Sequence, residues 1–208
     1  LEVRASSVCG DDWHLLEGLP YAARLATGLR RPRQRIPGLD VAGRVLAVGH
    51  GVSSLAVGDD VFGWCRGAYA ERVCVPADQL VAKPASVSFE EAAVLPVSGF
   101  TALQALRDAG QLKAGQRLLI IGASGGVGSL AVQLGKALGA HVTGVCSAAN
   151  VPWVAELGAH VVLDYGREGF SIVPQREDER YDVIVDLAQA QSLAACRRAL
   201  APKGILVL

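Results

Sequence analysis

The 208-residue chain has no methionine, no excess of either charge (20 Lys+Arg against 20 Asp+Glu) and only 5% aromatic residues. Each of these absences excludes something. Zero net charge gives no whole-molecule attraction to nucleic acid or to an anionic membrane. Five cysteines, at positions 9, 65, 74, 146 and 196, form no C-x-x-C pair. That excludes a zinc ribbon and a disulfide framework, and it leaves free thiols in a reducing compartment. No basic segment followed by an apolar run opens the chain, so no signal peptide is read and a cytoplasmic location is expected. A chain without Met that opens Leu1-Glu2-Val3-Arg4 reads as a processed product or as a piece of something longer.

What is present points the other way from disorder. Half the residues are hydrophobic (51%) and 24 are glycine, enough for a buried core with tight backbone turns. The segment Leu118 to Gly135 is uncharged and of membrane-spanning length, but its five glycines and the apolar spacing after Val127 favour a buried strand, turn and helix. The cluster Arg30-Arg31-Pro32-Arg33-Gln34-Arg35 is short, lacks interleaved aromatics and reads as a solvated loop rather than a nucleic-acid site.

Two textures divide the chain. Residues 37–82 carry short β-branched runs between glycines, with strands expected at Val41–Val48, Asp60–Trp64, Tyr69–Val75 and Leu80–Ala82, a mostly antiparallel unit. Ser88-Phe89-Glu90-Glu91 has the form of a capping box and predicts a short helix limited by Pro96, followed by a second helix from about Ser98 to Ala109. Beyond it, strands expected at Arg117–Gly122, His141–Cys146, His160–Leu163, Tyr181–Asp186 and Ile205–Leu208 alternate with helices at 126–138, 151–157 and 191–200. Alternation of this kind, with runs such as Leu-Leu-Ile-Ile that are apolar on both faces, predicts a parallel sheet covered on both sides. The expected domains are 1–96 and 97–208, and the polar link Asp164 to Arg180 has no assigned structure.

The chemistry-bearing motif is Leu118-Leu-Ile-Ile-Gly122-Ala123-Ser124-Gly125-Gly126-Val127-Gly128, a strand entering a glycine-rich turn that opens a helix. Gly125 lets backbone approach a pyrophosphate, Gly128 lets the helix pack close to the strand, and the helix N-terminus offers N–H groups and partial positive charge to the anion. Residues Ala123 to Gly128 are therefore expected to bind a dinucleotide. Between Ala140 and Asn150 there is no Asp or Glu to bind a ribose 2′-OH or to repel a 2′-phosphate, which favours NADP, although no Lys or Arg occurs between Lys136 and Arg167 to pair with that phosphate. NAD remains the alternative.

Taken together, Gly122 to Asn150, Ala159-His-Val-Val-Leu-Asp164-Tyr165, Pro37-Gly-Leu-Asp-Val-Ala-Gly43, Val57-Gly-Asp-Asp-Val-Phe-Gly63, Gly67-Ala-Tyr-Ala-Glu71 and Ser98-Gly-Phe-Thr101-Ala resemble the medium-chain dehydrogenase/reductase superfamily, in its quinone oxidoreductase-like branch. The resemblance implies a GroES-like β domain, a Rossmann domain holding the cofactor, substrate in the cleft between them, and a homodimer. It implies hydride transfer from NADPH to quinones or activated enones. It places Thr101 by the nicotinamide, Ser147 and Tyr165 near the adenosine ribose or 2′-phosphate with Cys146 beside them, and Asp40 and Cys9 with Thr101 among the catalytic candidates. Cys9, Asp12 and Trp64 read either as lining on the substrate side or as ordinary packing.

Zinc enzymes of the same superfamily need three protein ligands. Cys9 matches the first ligand, but Leu39 stands where the second is His, and the third position falls near Val97. A zinc-independent reductase is therefore expected, with a zinc alcohol dehydrogenase, a non-catalytic dinucleotide-binding fragment and an enoyl reductase domain of a larger synthase as alternatives. Two departures from the family stand out: no basic residue in Ser147-Ala-Ala-Asn150, and Asp186-Leu187-Ala-Gln-Ala-Gln191 where relatives have a Val-Gly turn, a loss expected to crowd the cofactor. Both domains read as incomplete, the nucleotide fold with five strands of the usual six.

Overall fold

The computed structural model describes residues 1–19, 21–29 and 33–208, which form two compact units, Leu1–Ser98 and Gly99–Leu208. Residues 30–32 of the arginine cluster lie outside the described residues.

The first unit is a four-stranded antiparallel sheet in the order β1 (Glu2–Ala5), β2 (Asp40–Arg44), β3 (Asp60–Trp64), β4 (Leu80–Ala82). Helix α1 (Gly10–Glu17) and the short turn α2 (Arg24–Thr27) lie between β1 and β2. The Arg24 guanidinium donates to the carbonyls of Gly18 and Glu17, satisfying acceptors that the end of α1 leaves open. The apolar core here is small: Val41, Cys65 and Ala68 on one side of the sheet, and Ala42, Ala92 and Ala93 on the other, where α3 (Phe89–Ala93) packs. Ser88 and Glu91 cap α3 reciprocally, as their spacing predicts.

Two expectations change here. Strand β2 stops at Arg44, and Val45 instead exchanges backbone bonds with Gly58 and Asp59. Residues 69–75 form no strand: they bridge to β1 at the Glu2 and Arg72 pair, with Val3 N–H donating to Glu71 and Val73 N–H to Leu1.

The second unit is a five-stranded parallel sheet in the order β7 (Val161–Asp164), β6 (His141–Cys146), β5 (Arg117–Ile121), β8 (Tyr181–Asp186), β9 (Leu200–Val207). In chain order this is 3-2-1-4-5, the doubly wound arrangement, with its switch point between the carboxyl ends of β5 and β8. Successive β5 residues point to opposite faces, and both faces are covered. Leu118 and Ile120 pack with Ala131 and Val132 of α5 (Gly126–Ala137) and Val154 of α6 (Val151–Glu156). Leu119 and Ile121 pack with Cys196 and Ala199 of α7 (Leu193–Ala199). Each of the four buried Leu and Ile side chains of β5 contributes about 2 kcal/mol of hydrophobic stabilisation. The link 164–180 also contributes to the core, through Ile172, 2% exposed.

Helix α4 (Pro96–Leu103) begins at Pro96 rather than Ser98, because a missing N–H costs nothing in the first helical turn, and it continues as a π-turn over Gln104–Ala109. Strand β9 starts at Leu200, five residues before the expected Ile205. Among the described residues no helix is long and apolar enough to cross a membrane.

Candidate functional site

The glycine-rich turn lies at the carboxyl end of β5. Its backbone is tied to the neighbouring strand: the N–H groups of Gly122 and Ala123 both donate to the Val145 carbonyl, at 3.1 and 2.9 Å. A Cβ on Gly128 would sit 2.1 Å from the Gly122 carbonyl oxygen and 2.9 Å from Ala123 Cα, so only glycine lets α5 begin this close to the strand. Gly125 differs. A Cβ there would meet only the Gly122 oxygen, at an ordinary 3.4 Å, so nothing inside the protein requires glycine.

The turn thus separates into two sides. Ala123 and Gly128 are buried and make the packing side, with Ala123 in the sheet core. Gly125 and Gly126 are exposed, Ser124 and Val127 half-buried, and Gly125 precedes α5 without a side-chain cap. The first N–H groups of such a helix have no intrahelical acceptors and are available to an anion.

Next to this turn is the end of β6. Asn150 Nδ2 donates to Ser124 Oγ (3.1 Å) and to Ser147 Oγ (3.2 Å), tying the turn to the segment after β6. Sequence reasoning named both serines and missed the asparagine between them; its only signal was a hydrogen-bonding side chain at the end of the Ser-Ala-Ala-Asn turn. Cys146 is 1% exposed, burial raises its thiol pKa, and its carbonyl accepts from Tyr165 N–H at 3.1 Å. Its side chain is packing. Tyr165 itself is 60% exposed, and Thr101 lies on the exposed side of α4.

Across the switch point, Leu187 N–H donates to the Ile121 carbonyl, and the buried Asp186 carboxylate accepts from the N–H groups of Ala188 (3.2 Å) and Gln191 (3.4 Å). Gln189 takes the left-handed φ of +49° in this loop. A Cβ placed on Gly122 would lie 3.4 Å from Ala188 Cβ, so the loop packs directly against the glycine turn.

In the first unit the candidate residues are organised by two buried carboxylates, each 1% exposed. Asp40 accepts from the Ser7 hydroxyl and from Val97 N–H at 2.8 Å. Asp12 accepts from Gly38 N–H (3.1 Å), Cys9 N–H (3.0 Å) and the Cys9 thiol (3.3 Å), and the Tyr69 hydroxyl stands 2.9 Å from it. Burial, then the hydrogen bond and charge of Asp12, raise the Tyr69 pKa, so its phenol stays a proton donor at neutral pH. Cys65 is likewise pushed up to about 11, by burial first and the Asp40 charge second. Gly38 closes the network at φ +97°, where a Cβ would meet Tyr69 N at 2.7 Å.

A cavity of about 1260 Å³ opens in this unit, with Leu39, Trp64 and Val97 in its wall. Of the residues expected on the substrate side, Trp64 lines it, whereas Asp12, Asp40 and Cys9 are not among its lining residues. Asp12 and Asp40 sit in the interior and hold the loops that form the wall. Among the described residues no three His, Cys, Asp or Glu side chains converge to hold a metal ion.

A parallel 3-2-1-4-5 sheet with a glycine-rich strand-turn-helix at its switch point defines the dinucleotide-binding class of α/β fold. Comparison with known proteins narrows this. The alcohol dehydrogenase GroES-like domain family matches residues 1–85, and the zinc-binding dehydrogenase family matches residues 126–208. A chloroplast envelope quinone oxidoreductase homolog of Arabidopsis thaliana is 36% identical over 216 residues, covering 100% of this chain and 64% of that protein. A trans-enoyl reductase of Aspergillus terreus is 34% identical over 178 residues, covering 81% of this chain and 49% of that protein. The solved quinone oxidoreductase of Coxiella burnetii superposes with a TM-score of 0.86 at 32% identity, over 99% of this chain and 64% of that one. The chain belongs to the medium-chain dehydrogenase/reductase superfamily. It spans less than two thirds of the length of these relatives.

Proposed function

We propose that this protein serves NAD(P)H-dependent reduction of quinones or activated enones without zinc, with NADPH the preferred donor. The observation that carries the proposal is the two-sided glycine turn. Its packing side is locked by the contact of Gly128 with the Gly122 carbonyl, while Gly125, Gly126 and the N-terminus of α5 stay open for a pyrophosphate. When bound, the nicotinamide supplies the hydride. The chain's own residues bind and orient: Ser124 and the first turn of α5 hold the pyrophosphate, while Ser147, Asn150 and Tyr165 take the adenosine ribose or its 2′-phosphate. Thr101 borders the nicotinamide. Asp40 acts as a positioning residue through Val97 N–H and Ser7. With no carboxylate between Ala140 and Asn150, a 2′-phosphate meets no repulsion on that strand end.

The zinc-independent reading rests on donor chemistry. Catalytic zinc takes three N, S or O ligands, and at the family's three positions stand Cys9, Leu39 and Val97, of which two are hydrocarbon. Without such an ion nothing stabilises an alkoxide, so a conjugated alkene or a quinone is the better hydride acceptor. The relatives' names, quinone oxidoreductase and enoyl reductase, agree with that direction. The second reading, a zinc alcohol dehydrogenase, is favoured by the match of residues 126–208 to zinc-binding dehydrogenases. Titration of the protein with NADPH and NADH, read by quenching of its tryptophan fluorescence, tests the first reading together with NADPH oxidation in the presence of 1,4-naphthoquinone. NADPH binding tighter than NADH, with chelator-insensitive turnover, is expected. Stoichiometric zinc and alcohol-dependent reduction of NAD would replace it with the second, and binding without turnover would leave a dinucleotide-binding protein. A homodimer is part of the same proposal and is read by sedimentation.

A further inference from the structure

The cavity of the first unit has a chemical character that no part of the reductase reading uses. Its wall includes Arg33, Arg35, Arg66 and Arg72, and among the described residues no Asp or Glu lines it. Among the described residues the ion pairs belong to Arg4, Arg44, Arg107, Arg176 and Arg180, each with a carboxylate close in sequence or across a strand pair, whereas Arg24, Arg117, Arg167, Arg197 and Arg198 form none. None of the four cavity arginines takes part in such a pair. In a chain whose net charge is zero, four arginines around one concave surface, with no carboxylate among its described lining residues, make a local positive field. Arg33 and Arg35, exposed as a solvated loop would have them, also border this cavity, where Arg66 and Arg72, likewise exposed, arrive from the segment after β3.

The rest of the wall is mostly apolar, with His14, Gln34 and Cys74 as its other polar side chains. Leu15, Leu39, Ile36, Val73 and Val97 face the same space, and Trp64, 39% exposed, supplies a flat aromatic face. At about 1260 Å³ the cavity is larger than the roughly 300–1,000 Å³ usual for small-molecule sites, so it has room for a long ligand. Guanidinium groups pair with carboxylates and phosphates through two parallel N–H bonds, whereas a neutral quinone offers them only weak acceptors. A concave, apolar-walled surface suits a small molecule and gives little purchase to a nucleic-acid backbone or a flat bilayer.

We propose that the cavity takes an anionic amphiphile, an apolar chain or conjugated ring ending in a carboxylate or phosphate, and that the acceptor reduced by this protein belongs to that class. The second clause rests on the reductase reading; the first does not.

The test is binding without cofactor. Fluorescence of Trp64, assigned by its loss in a Trp64→Phe variant, is titrated with decanoate, decyl phosphate and decan-1-ol, which share one apolar chain. The two anions are expected to bind about tenfold tighter than the alcohol, a preference of about 1.4 kcal/mol, and to weaken as salt rises while the alcohol does not. Their ranking tells carboxylate from phosphate. The double variant Arg66→Gln/Arg72→Gln brings both anions down to the level of the alcohol, whereas Arg107→Gln, on the other unit, changes nothing. Equal affinity for all three probes, or an anion preference that survives the double variant, overturns the proposal. A separate NADPH titration of the same sample reports on the reductase reading: if the cofactor fails to bind while the anion preference stands, that reading falls and the assignment of the cavity remains. Where NADPH does bind, a carboxylated naphthoquinone is expected to show a KM about tenfold below that of 1,4-naphthoquinone, and the double variant removes the difference; equal KM values overturn the acceptor clause.

Discussion

The two units are held together by different means. In the second, alternate residues of one strand, Leu118 to Ile121, each disappear into an apolar layer, and the site is shaped by what is missing: a side chain at 128 and another at 125. In the first, the apolar clusters are small and the loops that carry candidate residues are held by buried carboxylates, Asp12 on Gly38, Cys9 and Tyr69, and Asp40 on Ser7 and Val97. Hydrophobic burial is non-directional and tolerates a continuous sheet, whereas irregular backbone has N–H groups that only a directed acceptor can satisfy. A loop-built wall therefore depends on single residues in a way that a sheet does not.

That contrast can be broken at specific points. The largest effect is expected from Gly128→Val, because the Cβ would overlap a backbone carbonyl that cannot retreat. A loss of about 3 kcal/mol in urea denaturation of the second unit, with loss of NADPH binding, is expected; a stable variant would mean that α5 can shift away from its strand. Asp12→Ala comes next. It leaves Gly38 N–H and Cys9 N–H without their acceptor and should destabilise the first unit by about 2 kcal/mol, with the transition of the second unit unmoved. Gly125→Ala separates site from scaffold. Folding should change by less than about 0.5 kcal/mol, since the Cβ meets nothing closer than 3.4 Å. NADPH affinity should nonetheless fall about tenfold, or about 1.4 kcal/mol, and unchanged affinity would remove the pyrophosphate from this turn.

The smallest effect is a pH dependence. His141 packs against His160 with ring centroids 4.5 Å apart and the rings tilted by 43°, and burial, then the charges of His160 and Arg117, lower its pKa. An unfolded histidine titrates near ~6.5, so below that value protons bind the unfolded chain in preference. The contribution of His141 is present above the unfolded value and is lost as pH falls through the lower folded one. The urea midpoint at pH 5.5 should lie slightly below that at pH 7.5, and His141→Gln should shrink the difference.

Legibility in the sequence followed the same division. The parallel sheet could be read almost residue by residue, and β6 and β8 have the expected bounds. Runs that are apolar on both faces and alternate with 3.6-period segments have few other ways to bury their side chains. The turn Gly122 to Gly128 was legible because its glycines lie between such a strand and such a helix. Asn150 was not, since a lone asparagine is informative only once Ser124 and Ser147 are brought to either side of it. In the first unit the strand read at Tyr69–Val75 shrinks to one bridge with β1, because β-branched residues mark an extended chain without saying how far a partner runs beside it. Cys9, Asp12 and Asp40 were recognised as candidates, but their burial and partners could not be inferred from spacing.

By itself the amino-acid sequence determined the order of elements, the parallel core and the chemistry of the nucleotide turn, because those depend on short-range periodicity and on local steric freedom. Only the tertiary structure decided which glycine is packing and which is open, that Asp12 and Asp40 are interior supports rather than members of a cavity wall, and that Arg33 and Arg35 meet Arg66 and Arg72 across one. Those outcomes depend on contacts between residues as much as 57 positions apart, such as Tyr69 with Asp12 and Val97 with Asp40. No local pattern encodes such contacts, since chain folding alone sets which distant groups become neighbours.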